Sequence, residues 1–275
     1  MGTTINTNVV SLNAQRNLAA SQSSLSTSMA RLSSGLRVNS AKDDAAGLAI
    51  AERMNTQVKG MNVAIRNAGD AISLSQTAEG ALGKVADSLQ RMRELAVQST
   101  NATNTAGDRS NLDAEFQQLN SEITRVLTGT KFNGTSLLNT AGTLDFQVGA
   151  NNAATDKISV STTDLTTGTG VSGVTAGGIT TAALSLTAMD DIDTAITEIS
   201  TARASFGAVQ NRFESVIANL QVNSENQAAS RGRIVDADFA AETANLSKSQ
   251  VLQQAGMAMV AQANALPNGV MQLLR

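Results

Sequence analysis

The 275-residue sequence has no cysteine, histidine, tryptophan or tyrosine, a single proline and six phenylalanines. Without cysteine there is no disulfide framework, thiolate nucleophile or thiolate metal site. Without histidine, His-dependent triads and His-ligated zinc or haem are excluded. The scarcity of aromatic rings removes the stacking platforms on which single-stranded nucleic acids are held. The net charge, 20 − 23 = −3, lacks the basic balance of a nucleic-acid binder. No apolar run approaches the ~18 residues of a membrane span. The opening MGTTINTNVVSLNAQRN has neither a charged n-region nor an apolar h-region, so a Sec-type signal is not expected. Phosphate-cradling glycine motifs are missing. The carboxylate pairs Asp43–Asp44 and Asp190–Asp191 fall at expected helix starts, where the macrodipole favours them. No enzyme, cofactor, metal, nucleic-acid or membrane role is expected.

What is present is helix-forming sequence almost free of breakers, since the one proline is Pro267. Leu18, Leu25 and Leu32 recur every seven residues, with Gln15, Gln22, Met29 and Leu36 in the complementary register. So narrow a stripe needs a partner helix. Ser40 and Asp43 are spaced as a cap, predicting a helix start near residue 41. Met54, Val58, Met61, Ile65, Ala68 and Ile72 then alternate four and three apart, and the seam resumes at Ala78, Leu82, Val85, Leu89, Met92 and Ala96. One register slip is expected between the two runs. A helix over 41–100 would be about 90 Å long. Asp87 and Arg91 are spaced as a surface ion pair.

A further helix carries Leu112, Phe116, Leu119, Ile123 and Val126. Asn133-Gly134 reads as a hairpin turn, and Leu144, Phe146, Val148, Ile158 and Val160 alternate as short strands. Nine of the 21 glycines lie between Gly129 and Gly178, and Asp164 is the only charge from Ser161 to Ala188. That stretch, including Gly168-Thr169-Gly170, is expected to be an outward-facing loop. Helix returns with a cap at Thr187 and Asp190 and a seam from Met189 to Leu220. After a break at SRGRIVDAD, Leu252, Met259, Leu266 and Leu273 recur every seven residues, as at the N-terminus. The two terminal helices are natural partners. They hold much Ser, Asn, Gln and Ala, so each is marginal alone and gains order when neighbours cover it. Polymerisation is the simpler reading. The expected class is mainly α: a long antiparallel helical coiled-coil rod with paired terminal helices and a small β-hairpin region.

INTNVVSLNAQRNL, RLSSGLRVNSAKDDAAGLAI, LQRMRELAVQS, GAVQNRF and VLQQAG…AQANALPNGVMQLLR together resemble bacterial flagellin. The likeness covers roughly 1–138 and 187–275 and leaves a short middle, as in a minimal form lacking large outer domains. The resemblance implies a structural subunit of the flagellar filament that serves motility. It implies an inner coiled-coil domain from 1–40 and 236–275, a rod-like middle domain from 41–160 and 183–235, and a short outer Thr/Gly-rich loop at 161–182. It further implies secretion by the flagellar type III apparatus, an export chaperone, a filament cap protein, hook-associated junction proteins and homopolymer neighbours. It also implies recognition by the host Toll-like flagellin receptor. By position, that epitope would use Gln90, Arg91, Glu94, Leu95, Gln98 and Glu115. The terminal seam would use Leu18, Leu25, Leu32, Leu252, Met259, Leu266 and Leu273. The alternatives are a hook–filament junction protein of the same apparatus and a non-exported coiled-coil regulator.

Overall fold

A computed structural model describes residues 7–273, with side chains through residue 266. The described elements run α1 (Val9–Ser34), α2 (Ala45–Thr100), α3 (Ala106–Gly129), β1 (Lys131–Phe132), β2 (Thr135–Ser136), β3 (Gly142–Gln147), β4 (Lys157–Thr162), α4 (Thr169–Ala176), α5 (Ala182–Val235) and α6 (Phe239–Leu273). The class is mainly α, as the sequence predicts. The chain forms two compact units, one from residues 1–56 with 226–275 and the other from 57–225.

In the first unit, α1 lies antiparallel to α6, with Cα atoms approaching within 8 Å. Asn8 caps α1 by accepting from Ser11 N at 3.0 Å. Gly35, at φ 71°, ends the helix in the left-handed conformation that glycine adopts without strain. Arg37 N donates to Val235 O (2.7 Å) and Ala237 N to Gly35 O (2.9 Å), over a small cluster of Val38, Ala51 and Val235. The α2 cap is Asp44, whose Oδ1 accepts from Gly47 N at 2.8 Å, and the helix starts at Ala45, four residues beyond the predicted start. Asp43 instead binds back to Asn39 N and Ser40 N. Hydrogen bonds from those amides, Ser40 first, hold its carboxyl below the usual carboxylate range.

In the second unit, α2, α3 and α5 enclose a core of Leu82, Leu89, Met92, Phe116, Ile123, Ile192, Ile199 and Phe213. The α2 seam runs without a slip through Ala64, Ala68, Ala71, Ser75, Ala78, Leu82, Val85, Leu89, Met92, Ala96 and Ser99, all buried. The expected break disappears because Ser75 occupies a seam position, its hydroxyl donating to Ala71 O at 2.9 Å. Asp87 pairs with Lys84 rather than Arg91. The α5 cap is Thr181, six residues before the predicted one, accepting from Leu184 N at 3.3 Å.

The turn between β1 and β2 places Asn133 at φ 48° and Gly134 at φ 82°, as a two-residue hairpin requires. β3 pairs antiparallel with β4 and turns Ile158, Val160 and Thr162 inward.

The segment expected as a loop is instead built onto the core. Residues 161–162 continue β4, α4 follows Gly168, and Leu165, Val171, Val174 and Ile179 are buried. Gly170 lets α4 lie directly on α5, since a Cβ there would sit 2.3 Å from Ala195 N. Glu198 closes the start of α4, accepting from Gly170 N (3.1 Å) and Val171 N (3.4 Å). On α3, Asp113 accepts from Ile179 N (2.7 Å), while Gln117 and Asn120 donate to Gly177 O and Thr175 O.

Thr105 and Asp108 form a reciprocal capping box at α3. The Thr105 hydroxyl and amide hold the Asp108 carboxyl below its ordinary value. A lowered carboxyl contributes stability above its unfolded pKa of about 3.9, and that contribution is lost as pH falls through the folded value. Thr105→Ala is expected to cost about 1 kcal/mol at neutral pH. The penalty shrinks on titration to acid, as urea unfolding at a series of pH values would show.

Candidate assembly and recognition surfaces

The inner face of α1 carries Ser11, Ala14, Leu18, Ser21, Leu25, Ser28 and Leu32, all buried or half-buried. Gln15, Gln22 and Met29 are exposed, so the second register is one of small residues, not the expected one. α6 answers with Glu242, Leu246, Ser249, Gln253, Gly256, Val260 and Ala263. A Cβ at Gly256 would meet the Leu18 side chain at 3.1 Å. Polar contacts hold both ends of the pair. Asn8 Nδ2 donates to Ala263 O and Ser11 Oγ to Asn264 Oδ1, each at 2.7 Å. At the other end Arg31 lies 3.8 Å from the buried Glu242. Between them runs a groove of about 470 Å³ in which half the lining residues bear hydroxyls, with Leu252 on its rim and Arg31 and Glu242 at its end.

This corrects the terminal seam on α6. Met259 and Leu266 do not close on α1; they are 62% and 54% exposed, while Leu252, 47% exposed, lines the rim of the α1–α6 groove. They fall outside the face that the small residues define, because the heptad of large apolar residues is offset from the heptad that packs. Leu273 lies outside the residues whose side chains are described. Val251 and Met257 on α6, and Val9, Val10, Leu12 and Met29 on α1, are also exposed. The helix pair thus leaves large apolar side chains uncovered outside a seam of leucines interleaved with small residues.

The second surface lies on α2 and α3. Arg91 donates from Nε to Glu115 Oε1 (2.9 Å) and from Nη1 to Glu94 Oε2 (2.9 Å). The hydrogen bonds it donates to Glu94, then Glu115, hold its guanidinium still more firmly protonated than usual. All three side chains are about half exposed, so the cluster orders a surface rather than stabilising a core. Gln90 and Gln98 are exposed beside it, with Val97 between them. Arg93 turns to α5, gripping both carboxylate oxygens of Asp193 at 2.7 and 3.2 Å. Leu95 does not join this face. It is 1% exposed and belongs to the core, because α2 buries a stripe broader than two positions per heptad. The exposed apolar residue of the face is Val97, which the periodicity alone could have found.

Residues 5–143 match the bacterial flagellin N-terminal helical region, and residues 189–274 match the C-terminal helical region. A flagellin of Halalkalibacterium halodurans is 46% identical over 272 residues, covering 98% of this chain and 99% of the relative. The chain belongs to the bacterial flagellin family. It is a structural subunit of the flagellar filament, an extracellular polymer of such subunits, and not an enzyme. A Bacillus subtilis flagellin is 40% identical across 98% of this chain and 99% of its own length. The crystal structure of Bacillus cereus flagellin superposes with a TM-score of 0.51 at 34% identity, covering 60% of this chain and 94% of that one. A Vibrio parahaemolyticus chain assigned as a flagellar hook-associated protein gives a TM-score of 0.59 over 70% of this chain and all of its own. At 14% identity that likeness concerns the fold alone. Among the described residues no helix is long and apolar enough to cross a membrane, and no three acidic side chains gather as a metal site.

Proposed function

We propose that the terminal pair, residues 1–40 with 236–275, is the inner domain through which subunits grip one another. Residues 41–160 with 183–235 then form the middle domain, and 161–182, packed on that domain's core, its outer edge. The observation that carries this reading is the uncovered stripe Leu252–Met259–Leu266 on α6. Burying it against neighbouring subunits supplies the apolar area that the hydroxyl-rich seam inside the pair does not. The same marginal pairing suits a chain passed unfolded through the flagellar type III apparatus. A chaperone would shield its ends before export, and a cap protein and hook-associated junction proteins would meet it outside. The Arg91–Glu94–Glu115 cluster, flanked by Gln90 and Gln98, offers the host Toll-like flagellin receptor a planar guanidinium already oriented by two carboxylates.

The test is seeded assembly. Heat-released subunits are expected to lengthen sheared filament seeds, with helicity rising on addition. The Met259→Lys/Leu266→Lys variant changes only side chains that line neither the α1–α6 seam nor its groove and is expected not to add. Normal elongation by that variant would overturn the reading. For recognition, monomeric Arg91→Ala is expected to activate a receptor reporter about tenfold less at unchanged melting temperature, equivalent to about 1.4 kcal/mol.

A further inference from the structure

Among the described methionines, only the three on α1 and α6 are exposed, and Met54 on α2 is half-buried. In residues 57–225, Met61 and Met92 are buried and Met189 is half-buried. In the terminal pair, Met29, Met257 and Met259 are 56%, 53% and 62% exposed. Met259 sits in the middle of the outward stripe, seven residues from both Leu252 and Leu266. Leucine would serve packing equally well at such a position, but a thioether adds one chemistry that leucine lacks.

We infer that Met29, Met257 and Met259 are sites of reversible oxidation that gate assembly of the free subunit. The inference rests on the reading that the terminal pair is the assembly element. The reactant is a peroxide, a two-electron oxygen donor. The thioether sulfur attacks one peroxide oxygen, the O–O bond breaks, and that oxygen stays on sulfur. Sulfur is oxidised by two electrons, and hydrogen peroxide is reduced to water. The product is a methionine sulfoxide, a strongly polar group on a formerly apolar side chain. On an exposed stripe it costs the free subunit little. At a buried contact between subunits it must be stripped of water without a partner, which opposes addition. A subunit already in a filament would have the same sulfurs covered. Oxidation therefore acts before incorporation and spares finished polymer. Sulfoxide reduction reverses it, so the damaged subunit is recoverable.

The experiment uses full-length subunits treated with hydrogen peroxide, and peptide mass spectrometry to locate each gain of about 16 Da. Met29, Met257 and Met259 are expected to gain oxygen before Met61 and Met92. Treated subunits should lose seeded elongation and regain it after incubation with methionine sulfoxide reductases. The M29L/M257L/M259L variant, checked for wild-type helicity, should elongate equally well before and after peroxide. Loss of its elongation on treatment would overturn the inference, as would normal elongation by wild-type subunits carrying the three sulfoxides. Met259→Gln places a neutral polar side chain on the stripe without any oxidation. If it elongates normally, the underlying assembly reading fails; if it does not elongate while oxidised wild type does, only the oxidation inference fails.

Discussion

Phe213→Ala is expected to lower the stability of residues 57–225 by about 3–5 kcal/mol, the range for deleting a buried ring from a packed core. Phe213 is fully buried on α5, and its ring meets Phe146 of β3 edge-on, with centroids 5.7 Å apart and planes at 80°. The substitution removes the transfer free energy of the ring, leaves a cavity between long helices that cannot collapse locally, and unpairs Phe146. For a unit of this size, the loss corresponds to a fall in melting temperature of roughly 10 °C. Phe239→Ala is the matched control. That ring is 64% exposed in the isolated subunit, so thermal unfolding of the monomer should barely move. Equal losses at the two positions would mean that the core is not where the burial places it.

Gly170→Val is expected to release α4 from α5. A side chain at 170 would meet Ala195 N at 2.3 Å and Ala195 Cα at 2.7 Å, and helix backbone cannot step aside as a side chain can. Separation would expose Val171 and Val174, now buried, at a cost of about 1.5–3 kcal/mol for each fully buried valine. It would also strip the amides of Gly170 and Val171 from the Glu198 carboxylate. The loss is local, so the readout is hydrogen exchange and proteolysis within 163–181, both rising while α2 and α3 stay protected. Gly173→Ala supplies the contrast. The atoms nearest a Cβ there belong to the Asp191 carboxyl, at 2.7–2.9 Å, and that side chain can swing away. Protection lost equally in both variants would show that α4 is not held by the close approach at Gly170.

Long helices, the Asn133-Gly134 hairpin and the period-two strands were legible because their signals are large apolar residues or obligatory turn residues. What was hidden follows one physical rule. A seam of Ala, Ser and Gly buries its residues without raising the local hydrophobicity. Ser75 thus reads as a break in α2, and Ser21 and Ser28 of α1 drop out of a pattern traced through leucines. The same rule worked in reverse on α6, where Leu252, Met259 and Leu266 advertise a seam that does not face α1. The helix after Gly168 was missed because glycine argues against helix by propensity. Here Gly170 is what permits the packing. Glu94 and Glu115 enter the sequence reading only through the resemblance, as epitope positions and not as partners of Arg91. Spacing alone offered Asp87 as partner, yet Arg91 turns instead to Glu94 and to Glu115 on another helix.

The hydrogen bond from Asn8 to Ala263 joins residues 255 positions apart in the chain. Residues 57–225 form one contiguous stretch, brought together near its ends by Ser224 and Asn62 at 3.4 Å. That stretch can therefore condense by itself, and in doing so it shortens the loop the terminal helices must still close. Refolding is therefore expected to form the contiguous unit before the helix pair, since α1 must wait for a partner that lies beyond the whole of residues 57–225.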